Sequence, residues 1–293
     1  MKTLVYGSLN IDLIFSVDHI AAPGETIASS SLAKSAGGKG ANQAAALAKA
    51  GMETWMAGKI GKDGEFLLEL LESYGVRTEK VIQYEGPSGQ ALIQVDKKGQ
   101  NSIILFAGGN GLVSPEEIEQ CLSFFDKGDL VMLQNEIPNT DFVMKKAKDR
   151  GMRIALNPSP WNERAEKLPM NFADILFVNE IEASGLAKLS PETPGMEVVD
   201  RLTVMFPRTE IILTLGKEGA LYGCGKSRAK GEIIDLPVLD TTGAGDCFSG
   251  YFIASRELGN SVEKALEIAC KAASLTVSRK GAMESIPFKN EVY

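Results

Sequence analysis

Short apolar runs alternate with amphipathic segments along this chain, and that rhythm leaves few folds open. Thr3–Tyr6 reads as a buried strand ending at Gly7, and Asn42–Ala50 as an alanine-rich helix stopped by Gly51. Thr54–Ile60 is again strand-like, and Glu65–Tyr74 is helical up to Gly75. Later strands fall at Leu130–Leu133, Arg153–Leu156, Ile175–Val178 and Glu210–Leu215, with helices at Thr140–Arg150 and Glu197–Phe206 between some of them. Strands separated by helical crossovers pair in parallel, so the pattern predicts an α/β fold: a central, mostly parallel sheet flanked by helices on both faces.

Two stretches break the rhythm. Leu13–Ser35 carries turn signals at Pro23-Gly24 and has no helical period; Gly89–Phe106 reads as a hairpin turning at Lys97-Lys98-Gly99. They predict a small β layer, about 11–35 and 89–106, over one edge of a single domain spanning 1–293; a pair of ordinary surface hairpins is the alternative. No linker, internal repeat or low-complexity tract divides the chain.

Composition excludes several kinds of chemistry. A net charge of −7 argues against a nucleic-acid partner. Cys121, Cys224, Cys247 and Cys270 are far apart, which speaks against a zinc site or disulfide framework and for reduced thiols in a cytoplasmic protein. The N-terminal residues do not read as a signal peptide, and no stretch is long and apolar enough to suggest a membrane span. His19, beside Asp18 in a polar stretch, is the only histidine and reads as a surface residue. Serine and cysteine triads and multi-histidine zinc sites are therefore out, and any general base is a carboxylate, a lysine or a tyrosine.

Three glycine-bearing segments carry the candidate chemistry. Asp240-Thr241-Thr242-Gly243-Ala244-Gly245-Asp246 runs into an apolar helix, Cys247 to Leu258. Small residues before a helix let the backbone approach a ligand, and the first N–H groups of the helix, with its dipole, form an anion site. Were the anion a transferring phosphoryl group, Asp246 could take the proton of the attacking hydroxyl while Gly243, Ala244 and Gly245 N–H groups stabilise the developing charge. The same residues would also serve as a tight turn with Asp246 as N-cap. Gly37-Gly38-Lys39-Gly40-Ala41-Asn42-Gln43-Ala44 also precedes a helix and offers Lys39, Asn42 and Gln43 to a polyhydroxylated ligand; its alternative is a flexible turn with a solvated lysine. Asn10 and Asp12, in Gly7-Ser8-Leu9-Asn10-Ile11-Asp12, sit where the first strand opens into a loop, the edge at which open α/β sheets bind ligands; turn chemistry is the alternative.

Two decoys fall away. Gly225-Lys226-Ser227 resembles the end of a P-loop, but the required first glycine is Ala220. Gly38-Lys39-Gly40 lacks the last glycine of a dinucleotide fingerprint, since Gln43 stands there.

Together the segments resemble the ribokinase-like carbohydrate kinases, from Gly7 to about Pro287. Gly37 to Gly51 is similar to that family's N-terminal signature and Asp240 to Gly250 to its C-terminal one, and the Gly-Lys-Gly-Ala-Asn-Gln-Ala wording is most similar to the ribose-specific branch. The resemblance implies ATP-dependent phosphorylation of the primary hydroxyl of a small sugar, D-ribose to D-ribose 5-phosphate. It implies Asp246 as base and Gly243-Ala244-Gly245 as anion hole. Asn10, Asp12, Gly38, Lys39, Asn42, Glu136 and Asp246 would contact the sugar. Asn179, Thr214, Gly216, Gly219 and Gly245 would meet the nucleotide. Glu182, in the Asn179-Glu180-Ile181-Glu182 motif, is tied to Mg²⁺. Asp240, Thr242, Thr276, Arg279, Gly281 and Ser285 match a K⁺ site built largely from backbone carbonyls. The family also implies a homodimer paired through the small β layer as a lid. Another sugar, a nucleoside, or a silent sugar-binding role on the same fold are the alternatives. Cys270, the glycine-rich Gly108-Gly109-Asn110-Gly111 and an expected short C-terminal helix depart from the family pattern.

Overall fold

A computed structural model describes every residue from Met1 to Tyr293. In chain order its strands are β1 (Thr3–Tyr6), β2 (Asn10–Ser16), β3 (Ser31–Gly37), β4 (Thr54–Gly61), β5 (Arg77–Tyr84), β6 (Gly89–Val95) and β7 (Asn101–Phe106), followed by β8 (Leu130–Gln134), β9 (Arg153–Asn157), β10 (Ile175–Asn179), β11 (Glu210–Thr214), β12 (Ala220–Cys224) and β13 (Ser227–Gly231). The helices are α1 (Lys39–Lys49), α2 (Glu65–Ser73), α3 (Pro115–Leu122), α4 (Thr140–Asp149), α5 (Glu163–Glu166), α6 (Glu180–Ala187), α7 (Gly195–Met205), α8 (Ala244–Glu257), α9 (Val262–Val277) and α10 (Lys289–Val292).

Nine strands form one sheet in the order β13-β12-β11-β10-β9-β8-β1-β4-β5. It is parallel except at the β11-β12-β13 end, where a hairpin closes it antiparallel. β1 is buried along its length, and alternation divides its side chains between two cores. Val5 packs into the core beneath α1, α8 and α9; Leu4 and Tyr6 join the core beneath α3, α4 and α7. The chain leaves β1 toward β4 and β5, then returns to build β8 onward on the other side. The crevice between the carboxyl ends of β1 and β8 is thus the topological switch point, where folds of this kind bind ligands.

β3-β2-β6-β7 make a second, smaller sheet. The expected β6–β7 hairpin is present, and β2 joins it through a parallel pairing with β6. Asn10 and Asp12 lie on β2 itself rather than in a loop, so both project from one face of the small sheet. The helix starts also differ from expectation. α1 begins at Lys39 rather than Asn42, and α8 at Ala244 rather than Cys247, because glycines that read as loop are helical. Gly243, at φ 76°, is the N-cap of α8, and Asp246 is its third residue, not its cap. The Gly108–Leu112 stretch is a 3₁₀ turn wedged into the fold: a Cβ on Gly109 would lie 2.5 Å from the Lys59 carbonyl oxygen. α10 is four residues long, the short C-terminal helix expected. His19 is on the surface, its Nε2 2.8 Å from Glu25 Oε1. No helix is long and apolar enough to cross a membrane.

Candidate active site

Two helix N-termini lie side by side near the switch point. α1 and α8 pack closely because small residues line their contact: a Cβ on Gly250 would fall 2.5 Å from the Ala46 Cβ. That approach brings α1's polar residues onto Asp246. Asn42 Nδ2 donates to Asp246 Oδ2 and Gln43 Nε2 to Oδ1, each at 2.9 Å. Burial pushes the Asp246 carboxyl up, while Lys39 and the two amide donors pull the other way; the balance lies above the ordinary carboxylate range. Lys39 shows the converse. Burial alone would lower its ammonium, but Asp246, Glu136 and Glu182 outweigh that and hold it protonated.

Glu136, just beyond β8, is held from two sides. The Ser8 hydroxyl donates to it, and the Lys39 N–H donates to its Oε2 at 3.1 Å. Gly40 sits where no side chain fits: its Cβ would lie 2.6 Å from Ser8 N and 2.7 Å from Ser8 O. Asn10 Oδ1 accepts from Asn110 Nδ2 at 2.7 Å, and Asn110 also clasps the Leu9 backbone through both ends of its amide. Asp12 is 9% exposed. Burial, then the like charges of Glu136 and Glu284, raise its carboxyl to about 7.

A cleft of about 720 Å³ opens from Lys39 and Asp246 along the loops after β9, β10 and β11. Gly243, Ala244 and Gly245 line its inner end. A Cβ on Gly245 would touch nothing within 4 Å, so that backbone faces open space. As the second residue of α8, Gly245 has no intrahelical carbonyl for its N–H. The Ala244 N–H is partly engaged, donating to Thr241 O at 3.3 Å. Further out the cleft runs past Asn179, Thr214, Gly216 and Gly219. Its apolar wall comes from Ile233, Ile234 and Val238 facing Ala273, Val277 and Cys270. Cys270 is buried, and burial raises its thiol to about 11.

The positions matched to metals divide in two. Asp240 ties its segment to the one after α9: Oδ2 accepts from Gly281 N at 3.1 Å, and Oδ1 from Thr242 N and Oγ1 at 2.9 and 2.7 Å. Burial would raise this carboxyl, but those donors and Lys280 hold it below the usual range. The Ser285 hydroxyl donates to Ala282 O, and the Arg279 N–H to Thr276 O at 3.1 Å. The Arg279 guanidinium turns away to Glu291. This grouping supplies oxygen donors only, which suits a hard cation. Glu182, matched to Mg²⁺, is engaged at the start of α6. It completes a capping box, its oxygens accepting from Asn179 N at 2.9 Å and Asn179 Nδ2 at 3.0 Å, so as a direct Mg²⁺ ligand it would have to give that box up. Glu180, not Glu182, lines the cleft. No group of three or more acidic, cysteine or histidine side chains is arranged so as to hold a metal ion.

Thus the structure brings Asn10, Gly38, Lys39, Asn42, Glu136 and Asp246 together, with Asp12 beside them on β2. The sequence offers Gln43 to a ligand, whereas the structure gives it to Asp246; the sequence assigns no role to Ser8, Asn110 or the Ile233–Val238 wall. The apolar pairs Ile233-Ile234 and Val238-Leu239 were a signal, but they fall in neither strand nor helix.

A buried carboxylate at a helix mouth, a lysine and free main-chain donors on a long cleft define a phosphoryl-transfer kind of site. The chain belongs to the pfkB family of carbohydrate kinases, whose model matches residues 2–289. It is 36% identical to a ribokinase of Bacillus subtilis, over 98% of this chain and 97% of that one. It is 34% identical to a bifunctional ribokinase/ribose-5-phosphate isomerase A of Fructilactobacillus sanfranciscensis, over 99% of this chain but 55% of that longer protein. The structure of Arabidopsis thaliana ribokinase complexed with ribose and ATP superposes with a TM-score of 0.87 at 32% identity, covering 99% of this chain and 96% of that one.

Proposed function

We propose that this protein transfers the γ-phosphoryl group of ATP to the primary hydroxyl of D-ribose, giving D-ribose 5-phosphate and ADP. The observation that carries the reading is Asp246: its carboxylate is held at the mouth of α8 by two amides of α1 and lines the same cleft as Lys39 and the Gly243–Gly245 backbone. Asn10, Asp12, Gly38, Lys39, Asn42 and Glu136 hold the sugar. The Asp246 carboxylate takes the hydroxyl proton as the sugar oxygen bonds to phosphorus and the bond to the ADP oxygen breaks. Its raised pKa brings it nearer the range useful to a base at neutral pH. The Gly245 N–H, with Ala244 and Gly243, stabilises charge on the transferring group. Asn179, Thr214, Gly216 and Gly219 border the nucleotide, and the Ile233–Val238 wall suits its flat base. Mg²⁺ would offset phosphate charge when bound, and the lone carboxylates here suit an ion that arrives with the nucleotide rather than one caged by protein. The oxygen-only Asp240–Ser285 grouping is where K⁺ would sit.

The small sheet would act as a lid. Its β7 edge exposes Ile103, Ile104, Leu105 and Phe106, each 49% or more accessible, and an apolar edge of this kind needs covering. A second copy of the chain is the proposed cover.

Rates with ribose, deoxyribose, fructose and nucleosides, with ATP and Mg²⁺ and with or without K⁺, test the assignment. Asp246→Asn should fold and bind sugar but lose roughly a hundredfold or more in turnover. Near-normal turnover in that variant removes Asp246 as the base.

A further inference from the structure

Beneath the base lies a buried chain of two amides that ribose chemistry does not itself require. Gln43 is 1% exposed and Gln134 fully buried. Gln134 Nε2 donates to Gln43 Oε1 at 2.5 Å, and Gln43 Nε2 donates in turn to Asp246 Oδ1 at 2.9 Å. Both amides point their donor ends the same way, toward the carboxylate. Gln134 ends β8 at the switch point, and its own Oε1 has no hydrogen-bond partner. That oxygen lies against Gly7, where a Cβ would overlap it. Nothing beyond Gln134 therefore orients the chain. The anion at its far end does so, and the aligned dipoles in turn favour the anion.

We propose that Gln43 is a positioning residue that keeps Asp246 ionised and aimed, and that Gln134 acts on the base only through Gln43. This rests on the reading of Asp246 as the base. A primary amide presents a donor end and an acceptor end of nearly the same shape. Turned over, Gln43 would set its oxygen against the carboxylate; the Gln134 donor on Gln43 Oε1 disfavours that state. Burial works to protonate Asp246, and Asn42, Gln43 and Lys39 are the groups that oppose it. Lys39 is the charged one among them, and it stays in place in every variant of Gln43 or Gln134.

The test uses the full-length protein with ATP and the sugar it turns over best. Gln43→Met should lower kcat roughly tenfold or more with KM little changed, the scale of a lost hydrogen bond to a charged group. The acid limb of its kcat/KM profile should move up by about one pH unit, because a donor to the ionised form is gone. Gln134→Met should show a smaller fall, and the double variant should be no slower than Gln43→Met. Multiplying effects in the double variant, or an unmoved acid limb in Gln43→Met, overturns the proposal. Should Gln43→Met fail to fold, Gln43→Glu carries the same test: a second carboxylate beside Asp246 raises the limb further, and an unmoved limb again refutes it. Asp246→Asn separates the two ideas. Normal turnover there ends the base reading and this proposal together; a dead Asp246→Asn beside a fully active Gln43→Met ends this proposal alone.

Discussion

Asp12 offers a test in which stability and binding move in opposite directions. It is buried on β2 with Glu136 and Glu284 as like-charged neighbours, and its carboxyl rises from 3.8 to about 7. At pH 8 the folded protein holds an ionised carboxylate that the unfolded chain would leave in water. Over that displacement, at about 1.4 kcal/mol per pH unit, the penalty is on the order of 4 kcal/mol. The sign follows from proton binding. Between 3.8 and about 7 the folded state keeps a proton that the unfolded state releases, so stability is full below that window and falls as pH rises through it. Asp12→Asn is neutral throughout and escapes the fall. Thermal melts without sugar should show the variant gaining on the wild type between pH 5 and pH 8, by several degrees at about 2 °C or more per kcal/mol. Sugar affinity should behave oppositely. The wild type should bind best above pH 7 and roughly tenfold more weakly at pH 6, because hydroxyl donors need the anion, and the variant should bind poorly at every pH. A difference in Tm that stays flat from pH 5 to pH 8 would refute the raised carboxyl and the reasoning built on it.

Lys49 is buried in α1 and donates to Met283 O at 2.7 Å and Ile286 O at 3.0 Å; burial lowers its pKa to about 8. Lys49→Met should cost about 2 kcal/mol in urea unfolding by leaving two carbonyls unpaired, and the wild type should gain on it from about pH 8 to 10.5 as the buried amine loses its proton. Gly40→Ala should lose activity and at least about 2 kcal/mol of stability, since the clash is with the Ser8 backbone rather than a movable side chain; near-normal melting and turnover would count against it. Phe106→Asp, on the exposed β7 edge, should shift the mass in light scattering from dimer to monomer without altering the melt of the monomer; an unchanged mass would place any dimer contact elsewhere.

Several features were open to reading in one dimension. Buried strands such as Thr3–Tyr6 declare themselves because every residue is apolar or β-favouring. Turn glycines such as Gly51 and Gly75 mark ends because φ of 99° and 87° suits glycine. Helix starts were harder. Lys39-Gly40-Ala41 and Ala44-Ala45-Ala46 look like loop and bland helix, yet the glycine meets the Ser8 backbone and Ala46 meets Gly250, contacts made far away in sequence. α9 carries little signal in the sequence beyond its cap, Ser261, whose hydroxyl oxygen accepts from Lys264 N at 3.3 Å.

By itself the sequence determined the alternation that predicts a parallel sheet and the two glycine-flanked helix starts that offer a seat to an anion or polyol. Those are local properties, set by side-chain period and backbone freedom within a few residues. Only the tertiary structure decided which partners each group meets: Asn42 and Gln43 on Asp246 across 204 and 203 residues, Ser8 on Glu136 across 128, and Glu182 turned into its own capping box. The physical reason is that ionisation and orientation depend on what surrounds a group in space. Burial and hydrogen bonding are supplied by strands and helices that the chain order keeps apart.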